Sequence, residues 1–267
     1  MTSKRKIIYS IYSPGGNDTA LVHKLVSDGQ LRKKINSKIM EKYKNVEQVG
    51  FVGLHNKTIE LIMAGGEFCA NATRCATFMC LQGKYGTKQI RVSGTSKLLN
   101  AGIDKNRNVW AEMPINSDPK NIRILDNFSL VDMDGISHVV IRQSNILQKQ
   151  QTILKGKKIL EKLGLLQSSK AAGVMFVRKV EGLLFIYPVV WVRDIQTLFY
   201  ETACGSGSTA VAMLRAYEKQ SSVREKIFQP SGGFIEVEVD FKKNKFLSAM
   251  IIGPVKLILE NEILEIG

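Results

Sequence analysis

Two of the four cysteines stand at positions where a thiol could take part in chemistry. Cys69 is followed by Ala-Asn-Ala and Cys204 by Gly-Ser-Gly, and each segment leads into a predicted helix. A thiol at a helix N-terminus meets the positive end of the helix dipole, which favours the thiolate. The first backbone N–H groups of such a helix have no intrahelical acceptor and can bind a carboxylate. Each segment therefore combines a potential base with a carboxylate site.

The spacing of these two cysteines indicates a shared site. Cys69 and Cys204 are 135 positions apart, about half of the 267-residue chain. If both helix N-termini face one cleft, a thiolate on one side of an amino acid removes the α-proton and a thiol on the other side delivers a proton. The two helix N-termini would stabilise the negative charge that develops at the carboxylate, without a pyridoxal cofactor. This arrangement predicts a two-base amino-acid racemase.

A second interpretation of the cysteines stays open, because a free cysteine is often a small buried hydrophobic residue. Cys75 and Cys80 fit that interpretation, since both lie inside the predicted helix after Cys69. Cys69 and Cys204 fit it less well, since each stands in a small, polar segment before a helix. No pair of cysteines has the C-x-x-C spacing of a zinc ribbon or a thioredoxin-type centre, and we expect no metal.

The composition indicates a globular, basic protein. Lys and Arg number 38 against 24 Asp and Glu, a net charge of +14. A basic nucleic-acid-binding protein is therefore the alternative from a different functional class, but the basic clusters lack interleaved aromatic residues and are more typical of solvated surface. The longest stretch without charge, 202–214, is too short for a membrane span, and the N-terminus lacks the apolar core of a signal peptide. We expect a cytoplasmic protein that binds neither nucleic acid nor membrane.

The pattern of elements predicts an α+β fold with two pseudo-symmetric domains. Each half contains several short strands and one helix, apolar on most faces, that follows a key cysteine; such a helix is buried. We expect mixed strands to wrap around each helix. The N-terminal domain would span 1–117 and carry Cys69, and the C-terminal domain would span 118–249 and carry Cys204.

Several segments resemble the diaminopimelate epimerase superfamily, in family order and over nearly the whole chain. The first cysteine segment, from Cys69 to Cys75, resembles the family's Cys-Gly-Asn-Gly followed closely by Arg-Cys, and Ala203 to Gly207 resembles its second cysteine motif. Gly16-Asn17-Asp18 resembles its N-terminal turn. The resemblance implies a diaminopimelate-epimerase-like fold in which the last strands, 250–267, return to the first domain. It also implies a cofactor-independent racemase or epimerase with Cys69 and Cys204 as catalytic residues, an amino-acid substrate and a homodimer.

The departures from that family concern the substrate. Diaminopimelate epimerases carry an Arg shortly before the second cysteine that holds a distal carboxylate, and the stretch 194–201 has none. A buried distal carboxylate without a charged partner would be costly, which disfavours diaminopimelate. The segments 47–51 (Glu-Gln-Val-Gly-Phe), 67–73 (Glu-Phe-Cys-Ala-Asn-Ala-Thr) and 204–207 (Cys-Gly-Ser-Gly) resemble the cofactor-independent histidine racemases of staphylopine-type metallophore pathways. The expected reaction is the interconversion of L- and D-histidine; diaminopimelate or another polar amino acid is the alternative.

The resemblance also implies which residues bind the substrate. The α-carboxylate would lie on the backbone amides of Ala70, Asn71, Gly205 and Ser206. The resemblance to the histidine racemases also implies that Glu47 contacts the imidazole, because a carboxylate accepts a hydrogen bond from a ring N–H.

Three further polar residues have more than one interpretation. Asn17 either bonds the polar end of the substrate or serves as a turn residue after two glycines. Glu67 and Glu201, which precede the two cysteines, either anchor the substrate ammonium or face solvent.

Overall fold

The computed structural model describes residues 5–145 and 148–266. The strands are β1 (Arg5–Ser13), β2 (Asp18–Val22), β3 (Val46–His55), β4 (Thr58–Met63), β5 (Gly86–Val92), β6 (Leu98–Ile103), β7 (Val109–Glu112), β8 (Ile122–Leu125), β9 (Phe128–Met133), β10 (Ile136–Arg142), β11 (Ala171–Val180), β12 (Leu183–Val192), β13 (Thr197–Tyr200), β14 (Val223–Phe228), β15 (Phe234–Lys242), β16 (Lys245–Gly253) and β17 (Lys256–Ile266). The α-helices are α1 (Gly29–Lys42), α2 (Ala70–Leu81), α3 (Lys149–Lys162), α4 (Leu165–Ser168) and α5 (Gly205–Lys219).

The strands form one continuous, strongly mixed sheet. Its order is β17-β1-β2-β3-β4-β5-β6-β7-β16-β15-β14-β12-β11-β10-β9-β8, with β13 added to β12. Parallel pairs need a crossover, and each of the four parallel pairs has one that contains a helix. The helix α1 connects β2 to β3, α2 connects β4 to β5, α3 lies between β10 and β11, and α5 lies between β12 and β14.

This order is the same plan used twice. In the first half a parallel pair (β2, β3), an antiparallel step to β4 and a second parallel pair (β4, β5) lead to the antiparallel strands β6 and β7. In the second half β10, β11, β12, β14, β15 and β16 repeat these steps. The two halves meet where β7 pairs with β16. The predicted α+β fold, with two pseudo-symmetric groups of strands around central helices, is confirmed.

The central helices α2 and α5 are buried because their sequences are small and apolar on most faces. Eight residues of α2, Ala70–Thr77, are buried, and so are most of those in α5. Each helix ends at a glutamine in the left-handed conformation, Gln82 with φ +52° and Gln220 with φ +51°. Strands of its own half surround each helix. The result is that both helix N-termini are fixed by packing along the whole helix.

The sequence predicts no strand at β8 or β13, which are only four residues long each. The long strand β17 lies in the segment 250–267. The strand β17 pairs with β1, from Arg5 opposite Ile266 to Ser13 opposite Lys256. The boundaries of the two domains stay a prediction. Within the described ranges, no helix is both long and apolar enough to cross a membrane.

Candidate active site

Cys69 and Cys204 are the N-cap residues of α2 and α5, and their environments match. The Sγ atom of Cys69 accepts from the backbone N–H of Ala72 at 3.3 Å, and that of Cys204 accepts from Gly207 at 3.3 Å. Both cysteines have extended backbone conformations, as N-cap residues usually do. Each thiol therefore lies at the positive end of a buried helix, in the position where the dipole favours a thiolate.

The two helix N-termini touch each other. The side-chain amide of Asn71 donates to the backbone carbonyl of Ala203 at 3.0 Å, joining the start of α2 to the residue before Cys204. A Cβ atom placed on Gly205 would lie 2.8 Å from the Cβ of Ala70. Glycine at this position is what allows the first turns of α2 and α5 to approach so closely.

One cavity contains both thiols. It is lined by residues from both halves of the molecule: Asn36, Glu47, Gln48, Val49, Ala64, Glu67, Phe68, Cys69, Ala70, Asn71, Ile136, Ala171, Val190, Val192, Ile195, Phe199, Glu201, Cys204, Gly205 and Ser206. Helix geometry leaves the backbone N–H groups of the first turns without intrahelical acceptors. Those N–H groups belong to the residues after each cysteine, so the cavity combines two thiols with two sets of anion-binding amides.

A chain of polar contacts connects the two thiols across the cavity. The thiol of Cys69 donates to Oε1 of Gln48, and the amide of Gln48 donates to the carboxyl of Glu201 at 3.4 Å. Glu201 in turn lies close enough to Cys204 for its carboxylate to raise the pKa of that thiol. One glutamine and one glutamate therefore lie between the two sulfur atoms in the wall of the same cavity.

Burial favours the protonated forms of the two thiols and of Glu201 when no ligand is present. Desolvation is the main cause that raises the pKa of Cys69 and of Cys204 well above the ordinary value for a thiol. The carboxylate of Glu201 adds to the rise at both thiols, and burial raises the pKa of Glu201 itself to about 8. The helix dipoles act against these effects, but a compensating positive charge is needed before either thiol ionises readily.

Glu47 lies in the cavity wall and holds the segment before Cys204. Its carboxylate accepts from the backbone N–H of Thr202 at 3.2 Å, from the Thr202 hydroxyl at 2.7 Å and from the side-chain amide of Asn17 at 3.0 Å. Burial raises the pKa of Glu47. Asn17 also donates to the backbone carbonyl of Ala203 at 3.0 Å, and it lies behind Glu47 instead of lining the cavity.

The charge of the cavity wall is entirely acidic. Three glutamates line it, Glu47, Glu67 and Glu201, and no Lys, Arg or His from the described part of the chain does so. Burial raises the pKa of Glu67 to about 7. Arg193, the nearest arginine before Cys204 in the sequence, bonds Asp194 and the backbone carbonyl of Gln167 and does not line the cavity. The side-chain end of the cavity therefore suits cationic or N–H-bearing groups and disfavours a second carboxylate.

A neutral histidine is connected to the thiol of Cys204 through the hydroxyl of Ser206. His138 is fully buried, and its Nε2 lies 3.0 Å from the hydroxyl of Ser206, which is 3.6 Å from the Sγ of Cys204. Desolvation lowers the pKa of His138 to about 3, so the imidazole is neutral at physiological pH. This histidine is suited to fixing Ser206 and has no proton to exchange in a two-thiol reaction.

A buried arginine fixes the start of α2. Arg74 is fully buried and donates to the backbone carbonyl of Pro14 at 2.7 Å and to Oδ1 of Asn71 at 2.9 Å. It thereby ties the N-terminal turn of the chain to the first turn of α2. The side chain of Asn71 is committed to these protein contacts, which leaves its backbone N–H for a ligand.

The structure brings most of the expected site residues to the cavity and adds others. Eight of the nine expected residues line it, and Asn17 does not; the eight are Cys69, Cys204, Glu47, Ala70, Asn71, Glu201, Gly205 and Ser206. Sequence reasoning missed Gln48 and Asn36. Gln48 stands beside Glu47 in the segment 47–51, and Asn36 is a polar residue between the buried Ile35 and Ile39 of α1, which is a recognisable interruption of an apolar face. No group of three or more His, Cys, Asp or Glu within residues 5–145 and 148–266 is arranged to hold a metal ion.

Sequence comparisons agree with this geometry. A family model described as the histidine racemase CntK N-terminal domain matches residues 6–263. A histidine racemase of Fusobacterium nucleatum is 30% identical over 265 residues, which cover 94% of each chain. A histidine racemase of Staphylococcus aureus is 24% identical over 251 residues, which cover 87% of this chain and 89% of the relative. The resemblance found in the sequence motifs is thus confirmed over almost the whole chain.

Solved structures share the fold at low sequence identity. A hydroxyproline epimerase from Agrobacterium vitis superposes with a TM-score of 0.69 at 11% identity, over 99% of this chain and 92% of the other. A probable proline racemase from Agrobacterium radiobacter gives 0.66 at 14% identity, over 98% and 93%. A phenazine biosynthesis protein of the PhzF family from Enterococcus faecalis gives 0.59 at 15% identity, over 98% and 100%. These likenesses establish the fold.

Proposed function

Because the chain belongs to the histidine racemase family, we propose that it interconverts L- and D-histidine by a two-base mechanism with Cys69 and Cys204 as the catalytic residues. The observation that carries this proposal is that both thiols, each at the N-cap of a buried helix, line one cavity. A two-base reaction needs acid–base groups on opposite sides of one carbon, and the polar chain through Gln48 and Glu201 supports that spacing.

The substrate carboxylate lies between the two helix N-termini in this mechanism. The backbone N–H groups of Ala70, Asn71, Gly205 and Ser206 are the donors. Negative charge flows into the carboxylate when the α-proton leaves, and donors fixed in advance stabilise that charge at no further cost in reorganisation. We propose that this stabilisation replaces a cofactor.

The reaction consists of two proton transfers. One cysteine, as thiolate, takes the α-proton, and the electron pair of the C–H bond passes into the carboxylate as an enediolate. The other cysteine, as thiol, gives its proton to the opposite face of the same carbon, and the electron pair returns to form the new C–H bond. The product has the inverted configuration, and the two sulfurs have exchanged their protonation states.

The acidic wall of the cavity supports histidine as the substrate. The α-ammonium and the imidazole together bring one or two positive charges and several N–H donors to Glu47, Glu67 and Glu201. The arriving charge also offsets the burial that raises the pKa of both thiols, so that one of them ionises when substrate binds. Glu201, beside Cys204, is the proposed partner of the ammonium.

The roles of Glu47 and Asn17 toward the substrate stay predictions. Glu47 lines the cavity, so a contact with the imidazole is within its reach, although its oxygens already accept from Thr202 and Asn17. Asn17 is suited to a positioning role, because it fixes Glu47 and the carbonyl of Ala203 together. We also propose that the enzyme works as a homodimer in the cytoplasm.

Turnover of L-histidine without added cofactor tests the proposed function. We expect D-histidine to form until both enantiomers are equal, as measured by chiral chromatography. Cys69→Ala and Cys204→Ala should each lower this rate by about 10³-fold, because each removes one of the two proton carriers. Cys80→Ala, a change on the same helix outside the cavity, is the matched control and should keep the wild-type rate. A cysteine variant of the site that keeps more than half of the rate contradicts the two-base mechanism.

Diaminopimelate is the substrate to be compared side by side. It needs a positive partner for its distal carboxylate, and Arg193 is engaged on the surface with Asp194 and Gln167. We expect no measurable epimerisation of diaminopimelate under conditions where histidine turns over. Faster turnover of diaminopimelate than of histidine would overturn the assignment of the substrate.

A further inference from the structure

We propose that Glu67 and Asn36 form the subsite that recognises the imidazole of the substrate, and so determine specificity. This inference rests on the proposed histidine racemisation. It assigns the ring contacts to Asn36, which lies outside the family motifs, and to Glu67, which belongs to the segment 67–73 but was expected to contact the ammonium or solvent. Both residues line the cavity, and each is only 8% exposed. The backbone of Gly65 and Glu67 contacts the Glu67 carboxyl and lowers its pKa, against the larger effect of burial, but the Oε2 atom is left without a donor in the described part of the chain.

The three glutamates of the cavity wall differ in the hydrogen bonds that they already accept from the protein. Glu47 accepts from Thr202 and Asn17, and Glu201 accepts from Gln48. In contrast, the Oε2 atom of Glu67 is buried without any hydrogen-bond partner in the described part of the chain. A buried carboxyl oxygen without a donor is costly, so it favours a ligand that brings an N–H group.

The surroundings of Glu67 suit a ring. A Cβ atom placed on Gly65 would lie 2.7 Å from Oε2 of Glu67, 2.9 Å from Val192 and 3.3 Å from Ile195, so the carboxyl lies beside two apolar residues of the second half. Other apolar side chains of the same cavity include Phe68 and Phe199. A small planar group with an apolar face and a polar edge fits this combination better than a flexible cationic chain.

Asn36 supplies the second polar group. It lies on the buried face of α1 between Ile35 and Ile39, where an apolar residue would otherwise be expected. Its amide makes no hydrogen bond to the described part of the chain. An amide both donates and accepts, so it can serve either nitrogen of a neutral imidazole while Glu67 accepts from the other ring N–H. Burial, which raises the pKa of Glu67 to about 7, also favours a protonated or cationic partner for this pair.

Binding of 3-(imidazol-4-yl)propionate distinguishes a ring contact from an ammonium contact. This probe keeps the ring and the carboxylate of histidine but lacks the α-ammonium. If Glu67 accepts from the ring, Glu67→Gln should weaken binding of the probe about tenfold, as expected for a lost hydrogen bond to a charged group. Asn36→Leu, a change of similar size, should weaken it about fivefold. Isothermal titration calorimetry measures both, and thermal unfolding verifies that each variant is folded.

Matched controls come from the exposed face of α1. Glu41→Gln removes the same carboxylate from a solvent-exposed position and should leave binding unchanged. Ser37→Ala is the polar-to-apolar control for Asn36 and should likewise leave binding of the probe unchanged.

In turnover of histidine, Glu67→Gln should raise KM more than it lowers kcat, because the ring contact is present in ground state and transition state alike.

Two results would overturn the inference. One is wild-type affinity of Glu67→Gln for 3-(imidazol-4-yl)propionate together with weakened binding of histidine, which assigns Glu67 to the ammonium. The other is unchanged affinity of both variants for both ligands. Failure of the proposed function shows separately, as wild-type protein that does not racemise histidine. The loss of probe binding in the two variants remains decisive in that case, since it needs no turnover.

Discussion

At the residue scale, the two catalytic thiols could be predicted from the sequence, whereas the side chains that contact them could not. Cys69 and Cys204 stand out because small residues and a helix follow each of them. Gln48 and Asn36 give no such signal, since one lies in a strand and the other in an amphipathic helix whose polar residues mostly face solvent. Which polar side chain of an element points into a cleft depends on how the halves pack, and a single sequence does not contain that information.

The buried glutamates predict how stability depends on pH. Burial raises the pKa of Glu67 to about 7 and of Glu201 to about 8, from an ordinary value of 4.5. The folded state therefore holds these protons more tightly than the unfolded chain, so stability is fully present below pH 4.5 and is lost as pH rises toward 7 and 8. The loss is at most about 1.4 kcal/mol per pH unit for each group.

Urea unfolding between pH 5 and pH 8 measures this effect. The double variant Glu67→Gln, Glu201→Gln should show a flatter decline in unfolding free energy than the wild type, by a few kcal/mol in total. Glu41→Gln, on the exposed face of α1, is the control and should keep the wild-type slope. Equal slopes for the double variant and the wild type would show that these carboxyls titrate normally.

At the element scale, the starts of the two central helices matter most. The small and apolar residues of the sequence predict helices over 72–81 and 208–217, whereas α2 begins at Ala70 and α5 at Gly205. Glycine, serine and asparagine favour turns and caps more than helix interiors, so the sequence pattern suggests a later start. The earlier start is the functional one, because it makes each cysteine an N-cap and turns the following N–H groups toward the cavity.

Contact between the two helix starts predicts a sharp effect of one methyl group. An alanine at position 205 would place its Cβ 2.8 Å from Ala70 and 3.1 Å from Ile251, closer than ordinary packing allows. Gly205→Ala should therefore cost about 1–3 kcal/mol of stability and lower kcat/KM at least tenfold, because it separates the two carboxylate sites.

Gly29→Ala is the matched control for this prediction. Gly29 is likewise the first residue of a helix, and an added Cβ would meet only the end of the flexible Arg32 side chain, at 3.6 Å. Chemical denaturation and steady-state kinetics compare the two variants. If Gly205→Ala behaves like Gly29→Ala in both measurements, the close approach of α2 and α5 is not required for activity.

At the scale of the whole molecule, the repeated plan was predictable from the sequence itself, whereas the strand that pairs with β17 was not. Two cysteines half a chain apart, each before an apolar helix, indicate two equivalent halves. The family resemblance implies that the segment 250–267 returns to the first domain, but the pattern of β17 does not identify β1 as its partner. Long-range pairing of an edge strand leaves little trace in local sequence.

That edge predicts where two copies of the chain meet. In the described part of the chain β17 pairs only with β1, and Ile8 and Ile263 stand opposite each other with 48% and 53% of their surface exposed. Covering these side chains in a homodimer would remove apolar surface from water. Ile8→Glu with Ile263→Lys should shift the protein from dimer to monomer in multi-angle light scattering. Leu54→Glu, an equally exposed apolar position elsewhere, should not, and a wild-type monomer contradicts the proposed assembly.

Racemisation in deuterated water tests the central claim most directly. When L-histidine is converted by two thiols, the sulfur that delivers the proton has already exchanged with solvent. We therefore predict that the first D-histidine formed carries deuterium at the α-carbon while the unreacted L-histidine keeps its protium, as mass spectrometry of the separated enantiomers will show. Early D-histidine that retains the original α-proton would mean that one group carries the proton between faces, and would contradict a reaction shared by Cys69 and Cys204.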